Sequence, residues 1–270
     1  SIPFTELLRS KGVPCSEGPK EAAAKGTAAH FLLEICLTDQ DEPERYRGRW
    51  IAVEDAGTWL IPQNTTIKRK GVLCFEVDAE MIDGVSVCVG YVYARLAELG
   101  ITMRDVRLES KTNPLPERDD TDGTADVTLD GWPVLLEVVD YKNGRFFVEH
   151  EDNPQLLAYL TGRAEETGWS HDRYRITVCQ PNSDGGLVPR SQEYSPAELR
   201  IFQEQHREAC SQVDAAARTL EDAVRNDDLV AWGTYWLHAG DHCGLCPVQA
   251  VCPSRKVHAI QQAQLDFVSK

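Results

Sequence analysis

Residues 123–144 read GTADVTLDGWPVLLEVVDYKNG. Two segments with strand character, Thr124 to Leu129 and Val134 to Tyr141, flank Asp130-Gly131, a strong tight-turn signal. Pairing them as a hairpin brings Asp126 and Asp140 to the same end. Side chains alternate faces along a strand, so Asp140 and Lys142, two apart, point the same way. Two carboxylates and an ammonium converging at a strand end suit a hard divalent cation and a phosphate. The carboxylates would hold Mg²⁺ or Mn²⁺, and Lys142 would activate water or neutralise charge on the phosphate. Taken alone, the Asp-x-Lys triplet favours a surface hairpin with solvated charges. Its surroundings have to decide.

Composition sets limits. A chain of 270 residues, 42% apolar and 26% charged, suits one large globular domain over 1–270. No apolar run approaches the ~20 residues that span a membrane, and the N-terminal residues lack a signal peptide's pattern. Nine cysteines at uneven spacing argue for a reducing, cytoplasmic setting rather than a disulfide framework. A net charge of −15 weighs against nucleic acid as a partner but permits a local basic patch.

Helical and strand-like segments alternate along the chain. Ala22 to Leu37 has helical apolar spacing (Ala28, Phe31, Leu32, Ile35), and Asp39 to Pro43 is an acidic interruption. Trp59 to Pro62 reads as a short strand and Val72 to Leu99 as one long helix, making 39–100 a helical insertion. The densest basic cluster is Lys68-Arg69-Lys70. Strands begin again at Val106 to Lys111. Asn153-Pro154 opens a helix to about Glu166, and Arg173 to Gln180 is strand-like. Ser195, as N-cap before Pro196, with Glu198 three residues on, opens a long amphipathic helix.

Near the C-terminal end stand His242, Cys243, Cys246 and Cys252, the cysteines spaced C-x₂-C-x₅-C. So dense a set of thiols suits a metal better than an apolar core, and a proline follows both Cys246 and Cys252. With His242 the site reads as tetrahedral zinc; with a fourth thiolate, Cys15 first among candidates, it reads as an iron–sulfur cluster. Cys36, Cys74, Cys88, Cys179 and Cys210 sit in apolar segments and read as core. Upstream, His30 and Glu34 share one helix face, as do Gln155 and Tyr159. For each pair, ordinary helix-surface polarity is the competing reading.

In order, these motifs are Gly-Thr-x-x-His (His30), Gly-Thr-Ala-Asp (Asp126), Asp-Tyr-Lys (Asp140, Lys142) and Gln-x-x-x-Tyr (Gln155, Tyr159). The series resembles the RecB-type branch of the PD-(D/E)xK nucleases in order and broad spacing. One cysteine before the core and three after it resemble the 4Fe-4S frame of AddB-type and CRISPR-adaptation nucleases of that superfamily. Lys25 to His30, Asn153 to Tyr159 and Gly240 to Cys246 are similar to a phage-encoded family of RecB-like nucleases. The resemblance runs from about Cys15 to Cys252.

That resemblance implies an α/β fold with a restriction-endonuclease-like core, a central mixed sheet flanked by helices. A metal cluster on Cys15, Cys243, Cys246 and Cys252 would join its N- and C-terminal segments at 15 and 240–255. It implies that His30, Asp126, Asp140 and the Tyr141 carbonyl hold Mg²⁺ or Mn²⁺, with Lys142 positioning the attacking water. Glu109 would add a further carboxylate, behind the ligands or to a second cation, while Glu137, odd-spaced from Asp140, faces away. Gln155 and Tyr159 would contact DNA or support Lys142, and Lys68, Arg69, Lys70 and Arg145 would grip it. The family leans towards exonucleases on DNA ends in phage or bacterial recombination and repair. Some members act as oligomers or beside a recombination or single-strand-binding partner. Two rivals remain: an inactive, metal-stabilised DNA-binding module, and a redox protein that uses the cluster itself.

Overall fold

All seven residues of the strand Leu135–Tyr141, LLEVVDY, are buried, the signature of a strand covered on both sides. In the computed structural model this strand (β6) is the centre of a five-stranded sheet. Its neighbours are β4 (Val106–Thr112), β5 (Gly123–Gly131), β7 (Arg173–Cys179) and β8 (Arg190–Tyr194), in the order β4-β5-β6-β7-β8. β6 and β7 pair in parallel and every other neighbouring pair is antiparallel. The structure describes residues 20–63, 65, 71–183, 188–240, 243, 246, 252, 254–258 and 260.

Two apolar layers enclose the sheet. On one face pack α1 (Lys20–Asp39) and α2 (Ala79–Leu99), through Ala28, Leu32, Cys36, Val85, Cys88 and Val92, against Val127, Val139 and Tyr141. On the other, α3 (Pro154–Glu166) and the start of α4 (Pro196–Arg225) bury Leu156, Leu160 and Leu199 against Ala125, Leu136, Val138 and Ile176. Each fully buried leucine stabilises the fold by about 1.5–3 kcal/mol. Both helices open where the sequence places them, with the expected cap at Ser195 in place. Asn153 accepts from Gln155 N–H and Leu156 N–H, and Ser195 and Glu198 cap each other reciprocally at the start of α4. An α/β fold with a mixed central sheet flanked by helices, consistent with a restriction-endonuclease-like core, is what these elements build.

Three expectations need correction. The hairpin turn is not Asp130-Gly131: those residues still pair with Leu136 and Leu135, and the chain turns at 132–134, closed by Val134 N–H to Gly131 O at 2.9 Å. Pro133, which has no N–H to give a ladder, moves the turn along. The helix expected over Val72 to Leu99 starts only at Ala79, where Asp78 accepts from Met81 N–H at 2.8 Å. Nor is 39–100 a helical insertion. β1 (Trp50–Glu54), β2 (Gly57–Leu60) and β3 (Leu73–Glu76) form an antiparallel sheet in the order β2-β1-β3.

By packing, the described residues cluster into two compact units, one over Glu21–His206 and one that includes the residues from Arg207 onward. Within the second unit, Leu220 and Trp232, the latter on α5 (Leu229–Trp236), pack with Trp236, Leu237 and Cys246. No helix among the described residues is long and apolar enough to cross a membrane.

Candidate metal centre

The β5–β6 ladder runs from Gly131↔Leu135 to Val127↔Val139, so Asp126 and Asp140 stand one step beyond its last pair. There the Asp126 carboxylate replaces a ladder partner: its Oδ2 accepts the Tyr141 N–H at 2.7 Å. β6 keeps its pairing with β7 as far as Tyr141↔Cys179, and Lys142 N–H then donates to Cys179 O at 2.8 Å. The backbone of Lys142 is thereby fixed. Its Nζ lies 3.1 Å from Asp140 Oδ1 and 2.9 Å from Oδ2, so the two side chains share a face as their spacing predicts.

His30 reaches the same end of the sheet from α1. Its Nδ1 is 3.4 Å from Asp126 Oδ2 and 3.8 Å from Glu109 Oε1, and its ring meets that of Tyr141 edge-on. One potential ligand atom from each of His30, Glu109 and Asp126 falls within 4.8 Å of the others, the one such set among the described residues. Glu109 takes φ +41° in the middle of β4, between the pairs Leu108↔Val127 and Ser110↔Ala125. For a side chain larger than glycine that conformation costs roughly 1–2 kcal/mol, and such strain gathers at functional sites. Glu109 is thus a member of the converging set, whereas Asp140 stands outside it, paired with Lys142.

Electrostatics agree with a missing positive charge. Burial, then the nearby charge of Asp126, push the Asp140 carboxyl up to about 6 although Lys142 opposes them. Asp140 Oδ2 is buried, with the Lys142 ammonium 2.9 Å away as an ion pair but no well-directed hydrogen bond, so it keeps acceptor capacity for a further ligand. Burial works to lower the His30 pKa, but hydrogen bonds to Asp126 and Glu109 outweigh it and raise it to about 10. For Lys142, burial opposes the ammonium while Asp140 more than restores it. Glu34, one turn beyond His30, is raised by burial and by Glu109. A nitrogen and several carboxylate oxygens around an excess of negative charge fit a divalent cation such as Mg²⁺ or Mn²⁺.

The remaining predicted residues fall into three groups. Gln155 Nε2 donates to Tyr159 Oη at 2.8 Å, and Tyr159 packs so closely on Gly123 that any side chain there would meet its ring. Tyr159 also bears electrostatically on Lys142. Tyr141, expected to offer its carbonyl, meets Asp126 through its N–H. Arg145 is exposed and ion-paired to Glu80 at 3.2 Å. Glu137 faces away as predicted, accepting from Tyr91, Arg95 and Thr177. Cys15, Lys68, Arg69, Lys70 and His242 lie outside the described residues.

Cys36, Cys88 and Cys179 are buried, while Cys74 and Cys210 are half-buried. Cys243 and Cys246 share a turn, with Cys246 N–H donating to Cys243 O at 3.3 Å. Gly240 N–H points at Cys243 Sγ from 3.4 Å, a contact that suits a thiolate. Sequence reasoning missed Gln180, buried just beyond β7, which holds the loop after Lys142. A polar residue ending an apolar strand was the available signal.

Residues 13–270 match the family described as "Protein of unknown function (DUF2800)", and the chain belongs to that family. No curated protein gives a significant match.

Proposed function

We propose that this DUF2800 family member is a divalent-cation-dependent deoxyribonuclease, an exonuclease acting on DNA ends in phage or bacterial recombination or repair. One observation carries the reading: His30, Glu109 and Asp126 converge beside the Asp140–Lys142 pair where the β5–β6 ladder stops. The order of these residues resembles the RecB-type nucleases. A divalent cation there would offset charge that develops on a phosphodiester under attack. His30, Glu109 and Asp126 would hold it, with Asp140 alongside. Lys142, fixed by its backbone bond and by Asp140, places an ammonium where it orients water or meets phosphate charge. Gln155 and Tyr159, hydrogen-bonded to each other, would support Lys142 from the side where the phenol bears on its charge.

The same reading gives the cysteines a structural role. Thiolates of Cys243, Cys246 and Cys252, with Cys15, would hold a 4Fe-4S cluster or, with His242, zinc. Either would stabilise by cross-linking distant segments. Among the described residues these three thiols do not converge to ligand distance; the reading is supported by their C-x₂-C-x₅-C spacing and by the N–H aimed at Cys243 Sγ. A visible spectrum with metal analysis separates the two: a coloured protein that bleaches in Cys243→Ser carries iron, and a colourless zinc protein does not.

The activity is tested with end-labelled single- and double-stranded DNA, linear and circular, with Mg²⁺, Mn²⁺ or chelator. Shortening of linear DNA that stops in chelator is expected. Intact substrates with both cations would overturn the reading in favour of an inactive DNA-binding module or a redox protein.

A further inference from the structure

The loop that follows Lys142 carries Phe146, whose ring is 95% exposed, more than any other large apolar side chain among the described residues. The fold gains nothing from a ring left in water. Yet the loop around it is firmly held. Gln180, 1% exposed, donates through Nε2 to Gly144 O at 2.9 Å and to Phe146 O at 2.5 Å. Its Oε1 accepts Val148 N–H at 2.9 Å and Arg190 Nη2 at 3.1 Å. Asn182 Nδ2 donates to Asn143 O at 3.1 Å. The guanidinium of Arg190 lies over the Phe147 ring at 4.1 Å. Backbone on both sides of Phe146 is pinned, and its own ring is presented.

Two neighbours suggest what the ring meets. Phe146 is four residues from Lys142, within about 14 Å along the chain, or a few nucleotides of one strand. Arg145 beside it is 81% exposed and paired across the surface with Glu80, a contact of small worth that a phosphate can displace. An aromatic face with a flanking guanidinium is the combination that single-stranded nucleic acid selects, because every base offers a π-face. A continuous duplex covers those faces; a single strand or an opened end exposes them.

We infer that Phe146 is a base-stacking residue that holds an unpaired nucleotide beside the scissile phosphate, with Arg145 on the backbone. This rests on the nuclease reading and adds the strand state of the substrate. The test uses Lys142→Ala protein with Mg²⁺, to permit binding without turnover, and a single-stranded oligonucleotide containing 2-aminopurine. Phe146→Ala is expected to weaken single-strand binding about tenfold and to relieve quenching of the probe, while Phe146→Trp restores both. Affinity for closed circular duplex and the unfolding midpoint should not move. If the parent binds DNA equally well with and without the ring, the inference fails and the nuclease reading stands. If the parent binds no DNA, both fail. If sedimentation shows a wild-type dimer that Phe146→Ala splits, the ring is a contact between copies of this chain, and the inference fails.

Discussion

Two carboxylates on β6, three residues apart, have opposite fates. Glu137 is fully buried and fully partnered, with Oε1 accepting from Tyr91 and Thr177 and Oε2 from Arg95. Asp140 is nearly as buried, but among the described residues its one ion-pair partner is Lys142, which faces both of its oxygens, and it feels Asp126 across the gap. Odd spacing sends the two to opposite faces. Glu137 meets α2, and Asp140 emerges where the ladder ends. Glu137, with three donors, ties β6 to its neighbours, whereas Asp140, with one partner, keeps acceptor capacity. Burial alone does not distinguish the two carboxylates; the count of partners does.

The largest expected effect breaks that comparison at the Asp140 end. Lys142→Ala and Asp126→Ala should each lower DNA cleavage at least a hundredfold to about a thousandfold, the range seen when one charge-stabilising group is lost. Lys142→Ala should leave DNA binding close to wild type. Glu137→Gln should still cut; a dead Glu137→Gln that is fully folded would erase the distinction. At the other end, Glu137→Ala strands the buried guanidinium of Arg95, and urea unfolding should show a loss of about 3–5 kcal/mol.

Protons and cations sharpen the contrast further. His30, raised from 6.5 to about 10, contributes stability that is complete below pH 6.5 and lost as pH climbs through about 10. Asp140, raised from 3.8 to about 6, favours folding below pH 3.8, and that contribution is lost as pH rises through about 6. In chelator, melting temperature should therefore fall from pH 4 to 6 and again above 6.5. Saturating Mn²⁺ should flatten the second fall by taking the place of the His30 proton. At a hundredfold excess over its dissociation constant it should add about 2.7 kcal/mol. A Mn²⁺-independent melting profile would contradict this. The smallest effect lies away from both carboxylates: a Cβ on Gly162 would sit 2.7 and 2.8 Å from Asn113 backbone atoms. Gly162→Ala should cost about 1–3 kcal/mol in thermal unfolding and leave cleavage per folded molecule unchanged.

The hairpin, its two aspartates and the facing of Lys142 were legible because they follow from local alternation and an unbroken apolar run. The N-cap at Ser195 and the helix opening at Asn153-Pro154 were legible from local capping chemistry. Of β1 to β3 only β2 was legible, as the short strand at Trp59; the others were not, since short strands with mixed burial carry little periodicity, and Val72 to Glu76 merged with the helix beyond Asp78. β8, reading RSQEY, hid behind its polarity. The role of Glu109 was undervalued because it depends on a left-handed backbone that no residue type announces. Gln180 offered only a polar residue ending an apolar strand; its role arises from the loop after Lys142, whose backbone it holds.

Titration of Mn²⁺ into the purified protein, followed by calorimetry, tests the metal centre without any choice of DNA. The wild type and Lys142→Ala should bind the cation, and Asp126→Ala should lose it. A wild type that takes up no Mn²⁺, or an Asp126→Ala variant that binds it unchanged, would contradict the assignment of His30, Glu109 and Asp126 as its ligands.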